Sequence, residues 1–113
     1  MKNAGRPATR LVIFLTEDDR AGHRSTAEVL LERAQTQKLA GATIWRGIEG
    51  FGATGHLRAT RLPDLARGLP LVFEAVDEQA PIASFLVAVR EIVRGALVTI
   101  EPVEIYGPAS AAR

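Results

Sequence analysis

The run LVIFL at residues 11–15 is the stretch from which the fold can be predicted. It is short, continuously apolar and rich in β-branched and aromatic residues, which is typical of a strand buried on both faces. Comparable runs follow at residues 42–45, 71–76 and 96–100. The sequence therefore predicts four strands. Pro102 predicts that the last of them either contains a bulge or lies at the edge of the sheet.

Two helical patterns lie between these strands. The first begins at Ser25, with Glu28 three residues on as in a capping box, and Gly41 is the predicted terminating glycine. Pro81 suits the first turn of the second helix, whose apolar stripe continues until Gly95. The resulting β-α-β-β-α-β order predicts an α+β, ferredoxin-like fold: a four-stranded antiparallel sheet with two helices on one face.

The sheet face that the two helices leave uncovered is also apolar. In the third strand Val72 and Val76 lie opposite in phase to Leu71 and Phe73, so both faces carry large apolar side chains. Exposed apolar patches of this kind mark interfaces. We therefore expect the chain to form a homo-oligomer in which another copy covers this face.

Composition excludes several classes of protein. The 113 residues amount to about one domain. Fourteen basic against thirteen acidic residues give a net charge of +1, which argues against a nucleic-acid-binding protein. The absence of cysteine excludes disulfides, thiolate nucleophiles and Cys-ligated metals. No apolar run reaches the roughly 18 residues of a membrane span, so we expect a cytoplasmic protein without membrane insertion.

The polar residues predict structural roles more readily than catalytic ones. No nucleophile–base–orienter set can be recognised, so we expect no enzyme activity. The acidic stretch at residues 17–19 is interpreted as a turn rather than a cation site.

Glu74 is expected to pair with an arginine such as Arg46 in the oligomer, because an unpaired carboxylate in a strand is expensive to bury. Trp45 is expected to pack against the first helix or a neighbouring subunit.

A glycine-rich connection of about twenty residues separates the second and third strands. Gly50 and Gly52 could present backbone N–H groups to an anion, although a flexible hairpin explains the same glycines. Arg58 and Arg61 make the connection locally basic, which suits an anionic ligand or an acidic partner but also a solvated loop. His56 could bind a metal or a phosphate, yet no second ligand is suitably spaced.

Two segments carry a resemblance to a known family. GFGATGH at residues 50–56 resembles the start of the T-loop in PII signal-transduction proteins. RGIEGFG at residues 46–52 and LPLVFEAVD at residues 69–77 are similar to the PII-like domain-of-unknown-function family 190. The resemblance extends from about residue 11 to residue 105.

The resemblance implies a trimer whose sheets pack inward, with an adenine nucleotide as a regulatory ligand in each cleft between subunits. The matching ligand-binding positions are Gly50, Phe51, Gly52, Arg94, Gly95 and Ala96. It also implies a mobile loop at about residues 49–68 that uses His56, Arg58 and Arg61 to regulate a partner such as a membrane transporter. This PII-like domain would span residues 10–106, between a disordered or extended segment at residues 1–9 and a tail at residues 107–113.

Two positions of this sequence depart from the PII pattern, and they limit which ligands the resemblance implies. Ala53 stands where PII proteins have a basic residue. Thr54 stands where they have the glutamine used with Mg²⁺ and 2-oxoglutarate, so the resemblance does not extend to that sensing. We expect no obligatory cofactor. Two alternatives stay open: a ligand-free oligomeric interaction module, and a metal- or anion-binding stress protein that uses His56.

Overall fold

A computed structural model describes residues 5–53, 55, 57–59 and 68–107. Its main elements in chain order are strand β1 (Arg6–Thr16), helix α1 (Thr26–Thr36), strand β2 (Gly41–Arg46), strand β3 (Pro70–Asp77), helix α2 (Gln79–Val89) and strand β4 (Leu97–Ile105). Short ladders pair Arg20–Ala21 with Arg24–Ser25 and Glu49–Gly50 with Arg58–Ala59. The main elements confirm the predicted β-α-β-β-α-β order. Residues 6–9, within the predicted N-terminal segment, are extended as part of β1.

The four main strands form one antiparallel sheet in the order β2-β3-β1-β4. Val12 of the central strand β1 lies opposite Glu74 of β3 on one side and Thr99 of β4 on the other. Pro102 lies in the edge strand β4, opposite Thr9, and the pairing register there is unbroken. Of the two predicted alternatives, a bulge or an edge strand, the structure therefore shows the edge strand, where proline is tolerated.

Both helices pack on one face of the sheet and enclose the core. Leu11 and Ile13 of β1 and Phe73 of β3 have no exposed surface. The Phe73 ring stacks on Phe85 of α2, with ring centroids 5.7 Å apart. This face is therefore closed by the chain itself. Neither helix of the described ranges is long and apolar enough to cross a membrane.

The other face of the sheet, called the open face below, carries an apolar row. Its members lie opposite one another on the four strands: Trp45, Val72, Phe14 and Leu97. Trp45 is 57% exposed and Leu97 is 46% exposed. The predicted apolar character of this face is confirmed, whereas its covering by another copy stays a prediction.

Helix α1 begins where the sequence predicts but ends differently. Ser25 occupies the position before the first helical residue, although its side chain makes no capping hydrogen bond. At the other end Lys38 has a φ of 61°. Lys38 N–H donates to Gln35 O (3.0 Å) and Leu39 N–H donates to Ala34 O (3.1 Å), which is a Schellman motif.

The prediction that Gly41 terminates α1 is therefore wrong. Gly41 is the first residue of β2. The left-handed position is taken by Lys38, held there by the two hydrogen bonds and by the packing of Leu39 against the core. Tertiary contacts thus override the usual preference for glycine at this position.

Helix α2 contains Pro81 in its first turn, as predicted, where a missing N–H has no intrahelical partner to lose. The helix ends at Val89, however, and not near Gly95. Beyond it, Ile92 N–H and Val93 N–H both donate to Val89 O, at 2.9 and 3.1 Å, in consecutive turns. Val93 is still buried. The apolar spacing therefore indicated burial correctly and helix length wrongly.

The acidic stretch after β1 forms a turn, as predicted. Thr16 N–H donates to Asp19 Oδ2 at 2.8 Å, and Asp18 N–H donates to the Thr16 hydroxyl at 3.2 Å. In the ranges that the structure describes, no three His, Cys, Asp or Glu side chains come together as a metal site.

Candidate functional site

A cleft of about 550 Å³ lies at one end of the sheet. Its floor includes the last residues of β1 and the first residues of β3, among them Leu15, Thr16, Pro70 and Leu71. The connection after β2 and the turns before β4 also line it. The size falls within the range of small-molecule sites.

The first wall of the cleft is formed by the connection after β2. Gly47 N–H donates to Pro70 O at 2.7 Å, which continues the β2–β3 pairing past Arg46. Gly50 then pairs with Arg58 in the short ladder. The backbone is pressed close to β3 here, because a Cβ on Gly47 would lie 3.2 Å from the Pro70 ring. Glycine at this position allows the connection to lie flat against Pro70.

Beyond Gly50 the wall is more open. Phe51 lines the cleft with 74% of its surface exposed. Gly55 has a φ of +76° and its N–H donates to Gly52 O at 2.9 Å, which closes a tight turn. A Cβ on Gly52 would meet nothing within 4 Å. The backbone of Gly52 is thus unobstructed on the side that a Cβ would occupy.

The second wall is the turn before β4. Gly95 has a φ of +86°, a conformation that side chains other than glycine rarely adopt, and Ala96 N–H donates to Val93 O at 2.9 Å. The Arg94 guanidinium is paired with the Glu91 carboxylate. The structure therefore brings the two segments that the sequence singled out, residues 50–52 and 94–96, to one cleft.

Asp19 and Arg20, between β1 and α1, and Thr26, the first residue of α1, also line the cleft next to Thr16 of β1. The sequence did not point to them as ligand-binding residues. The predicted strand pairing could have indicated them, because antiparallel pairing of β1 with β3 puts the end of β1, and the residues that follow it, beside the start of β3. The cleft consequently mixes two arginines, Arg20 and Arg94, with the carboxylates of Asp19 and Glu49.

The remaining predicted residues of the connection are only partly described. The backbone of Arg58 pairs with Gly50, whereas its side chain lies outside the described part of the chain. His56 and Arg61 lie outside the described residues, as does half of the predicted mobile loop, namely residues 54, 56 and 60–67.

A polar network crosses the open face beside the apolar row. Trp45 Nε1 donates to Glu74 Oε1 at 2.9 Å, and Arg10 Nε donates to Glu74 Oε2 at 2.7 Å. Arg10 Nη1 also lies 3.5 Å from Glu101 Oε1. The hydrogen bonds from Arg10 and Trp45 hold the pKa of Glu74 below its ordinary value. The network joins all four strands.

Two predictions about this face need correction. Glu74 pairs with Arg10 within the chain and not with Arg46, because Arg10 and Glu74 lie on adjacent strands with side chains on the same face. Arg46 instead pairs with Glu17, at 2.8 Å. Trp45 does not pack on the first helix, since it points to the face opposite the helices; its contact with a neighbouring subunit stays a prediction.

The family model for domain-of-unknown-function family 190 (DUF190, described as "Uncharacterized ACR") matches residues 8–105. The chain belongs to DUF190. This confirms the family suggested by the segments at residues 46–52 and 69–77. A "UPF0166 protein" of Aquifex aeolicus (strain VF5) is 39% identical over 95 residues, covering 84% of this chain and 90% of the relative.

Solved structures show the same fold at low sequence identity. CPII, a nitrogen regulatory PII-like protein from Thiomonas intermedia K12 bound to ADP, AMP and bicarbonate, matches with a TM-score of 0.69 and 16% identity over 94% of both chains. The PII-like protein TTHA0516 of Thermus thermophilus matches with a TM-score of 0.64 and 17% identity, covering 90% of this chain and 92% of that one. The ferredoxin-like fold of this chain is therefore a PII-like fold.

Proposed function

We propose that this protein is a homo-oligomeric, PII-like regulator that binds an adenine nucleotide in the cleft. The observation that carries the proposal is the meeting of residues 50–52 and 94–96, more than forty residues apart in sequence, around one cavity. The similarity in fold to CPII, whose structure contains ADP and AMP, supports the choice of nucleotide.

The lining of the cleft suits a nucleotide better than a simple inorganic anion. Arg20 and Arg94 supply positive charge, and guanidinium groups match phosphate oxygens geometrically. The exposed Phe51 ring is accessible for stacking on a base. The Asp19 carboxylate, whose Oδ2 accepts the Thr16 N–H, has further lone pairs that can accept a hydrogen bond from a ribose hydroxyl. Charged, aromatic and acceptor groups are thus available for the three parts of one ligand.

The cleft is continuous with the open face of the sheet. Phe14 and Val72 belong to the apolar row and also line the cleft. A second copy packed on the open face would therefore bring residues to the rim of the cleft. We propose that three copies assemble in this way, and that the ligand lies at the interface between neighbouring copies.

The proposed role is regulatory and not catalytic, and we place it in the cytoplasm. The connection after β2 carries exposed apolar side chains at Ile48 (73% exposed) and Phe51 (74%). A ligand that changes the position of this segment would change a surface that a target protein, such as a membrane transporter, could recognise. His56, Arg58 and Arg61 are proposed contacts for that target.

Calorimetric titration of ADP, AMP and ATP into the purified protein tests this function. We expect binding of at least one of them, and Arg94→Gln should weaken it about tenfold through loss of a charge-assisted phosphate contact. Arg90→Gln is the matched control, because Arg90 is exposed four residues away and does not line the cleft. No binding by the wild type, or equal weakening in both variants, would contradict the proposal.

A further inference from the structure

Glu17 lies where three segments of the chain meet. It follows the last residue of β1, and its N–H donates to Leu69 O at 2.9 Å. Its carboxylate accepts a hydrogen bond from Leu69 N–H at Oε1 (3.1 Å) and pairs with Arg46 at Oε2 (2.8 Å). Arg46 precedes the glycine-rich connection and Leu69 follows it. One carboxylate therefore ties both ends of the connection to β1.

The contacts continue from Glu17 to the first wall of the cleft. Leu69 is followed by Pro70, whose carbonyl accepts the Gly47 N–H at 2.7 Å. The Pro70 ring also lies against Gly47 and Gly50, since Cβ atoms built there would be 3.2 and 3.6 Å from it. A displacement of the residues around Leu69 would consequently displace the backbone that lines the cleft. Glu17 itself does not line the cleft.

Stability alone does not explain this arrangement. The Arg46 side chain is 67% exposed, and ion pairs with so exposed a partner contribute little to the free energy of unfolding. The backbone bond from Glu17 to Leu69 would also survive a change of the side chain. What the carboxylate adds is a fixed geometry for the two ends of the connection, and a preformed site binds its ligand more tightly because less ordering is needed on binding.

We propose that Glu17 is a positioning residue: its carboxylate holds the first wall of the cleft in the geometry that binds the ligand. The effect on nucleotide affinity rests on the proposed function, whereas the effect on the wall does not.

The test compares Glu17→Ala, which removes both side-chain contacts, with Glu17→Gln, which keeps an acceptor for Leu69 N–H but loses the charge opposite Arg46. Glu32→Gln is the control, because Glu32 makes an ion pair of similar length with Arg24 (2.7 Å) away from the cleft. Hydrogen exchange of the unliganded proteins should show faster exchange of the Gly47 and Leu69 amides in Glu17→Ala. We expect wild-type rates at both amides in Glu32→Gln.

Titration of ADP provides the second measurement. We expect Glu17→Ala to raise the dissociation constant about tenfold with no matching fall in the thermal midpoint, and Glu17→Gln to restore part of the loss. Arg46→Met should weaken binding, and the Arg46→Met/Glu17→Gln pair should be no weaker than the worse single variant, because both remove the same contact.

Two results would overturn the inference. Unchanged exchange of Gly47 and Leu69 in Glu17→Ala would show that the carboxylate does not hold the wall. Unchanged ADP affinity in a Glu17→Ala protein, with the wild type binding, would show that the Glu17 carboxylate does not hold the wall in the geometry that binds the ligand. If the wild type binds no adenine nucleotide, the proposed function fails, and the exchange measurement still decides the role of Glu17.

Discussion

The two faces of the sheet are both apolar, but the residues that the structure describes cover only one of them. On the helix side, Phe73 is completely buried and stacked on Phe85. On the open face, Trp45 from the adjacent strand is 57% exposed. The contrast teaches that an apolar pattern in a strand predicts which side chains tend to be removed from water. It does not predict whether the chain itself or another copy buries them.

The faces differ in polarity as well. The open face combines its apolar row with the network of Trp45, Glu74, Arg10 and Glu101, whereas the helix side is packed with aliphatic and aromatic groups. Directional polar groups beside an apolar patch suit a surface that must pair in one specific geometry. A core closed by its own helices has no such requirement.

The largest effect is expected on the helix side. Phe73→Ala removes a fully buried ring and should lower the free energy of unfolding by about 3–5 kcal/mol. Urea denaturation measures this, and the loss should be the same at all protein concentrations. A loss below about 1 kcal/mol would place Phe73 outside the well-packed core.

An effect on assembly is expected on the open face. Leu97→Glu puts a carboxylate into the apolar row and should dissociate the oligomer while leaving the circular dichroism spectrum unchanged. Val87→Glu is the matched control, since Val87 is 66% exposed on α2 at the other side of the molecule. Size-exclusion chromatography with light scattering distinguishes the two. Equal masses for both variants and the wild type would exclude the open face as the interface.

A smaller effect concerns acid stability. The pKa of Glu74 is lowered from its ordinary value of 4.5 by hydrogen bonds from Arg10 and Trp45. A lowered pKa in the folded state means that the ionised carboxylate adds stability above pH 4.5, which is lost as the pH falls through the folded-state pKa. Glu74→Gln should therefore be less stable than the wild type at about pH 7, and the difference should shrink on acidification.

Denaturant unfolding at a series of pH values checks this prediction. Arg10→Met should also make the free energy of unfolding less dependent on pH, because it removes one of the two hydrogen bonds that lower the pKa of Glu74. A wild-type advantage over Glu74→Gln that stays constant from about pH 7 to about pH 3 would contradict the assignment.

Local patterns were sufficient to predict the fold, because an apolar run such as residues 11–15 indicates a strand, and a proline such as Pro81 indicates the first turn of a helix, without reference to distant residues. They failed where tertiary contacts decide. Lys38 replaces the expected glycine because the packing of Leu39 holds it in place, and α2 stops at Val89 although its apolar stripe continues. Both differences concern where a helix ends and leave the topology unchanged.

The same division applies to the cleft. Residues 50–52 and 94–96 could be singled out by resemblance, and the structure brings them together. Arg20 could be found only by following the strand pairing, and Glu17 was assigned to a turn because its partners, Arg46 and Leu69, are distant in sequence. The partner of Glu74 was wrong for a related reason: a cross-strand partner depends on the pairing register between two strands, and the pattern within one strand does not specify that register.

Native mass spectrometry of the protein, freshly purified and after addition of ADP, tests most directly whether the open face and the cleft act together. We predict an assembly of three 12.2 kDa chains that carries bound nucleotide before or after the addition. A single chain that gains no mass with ADP would contradict both the covering of the open face by other copies and the assignment of the cleft.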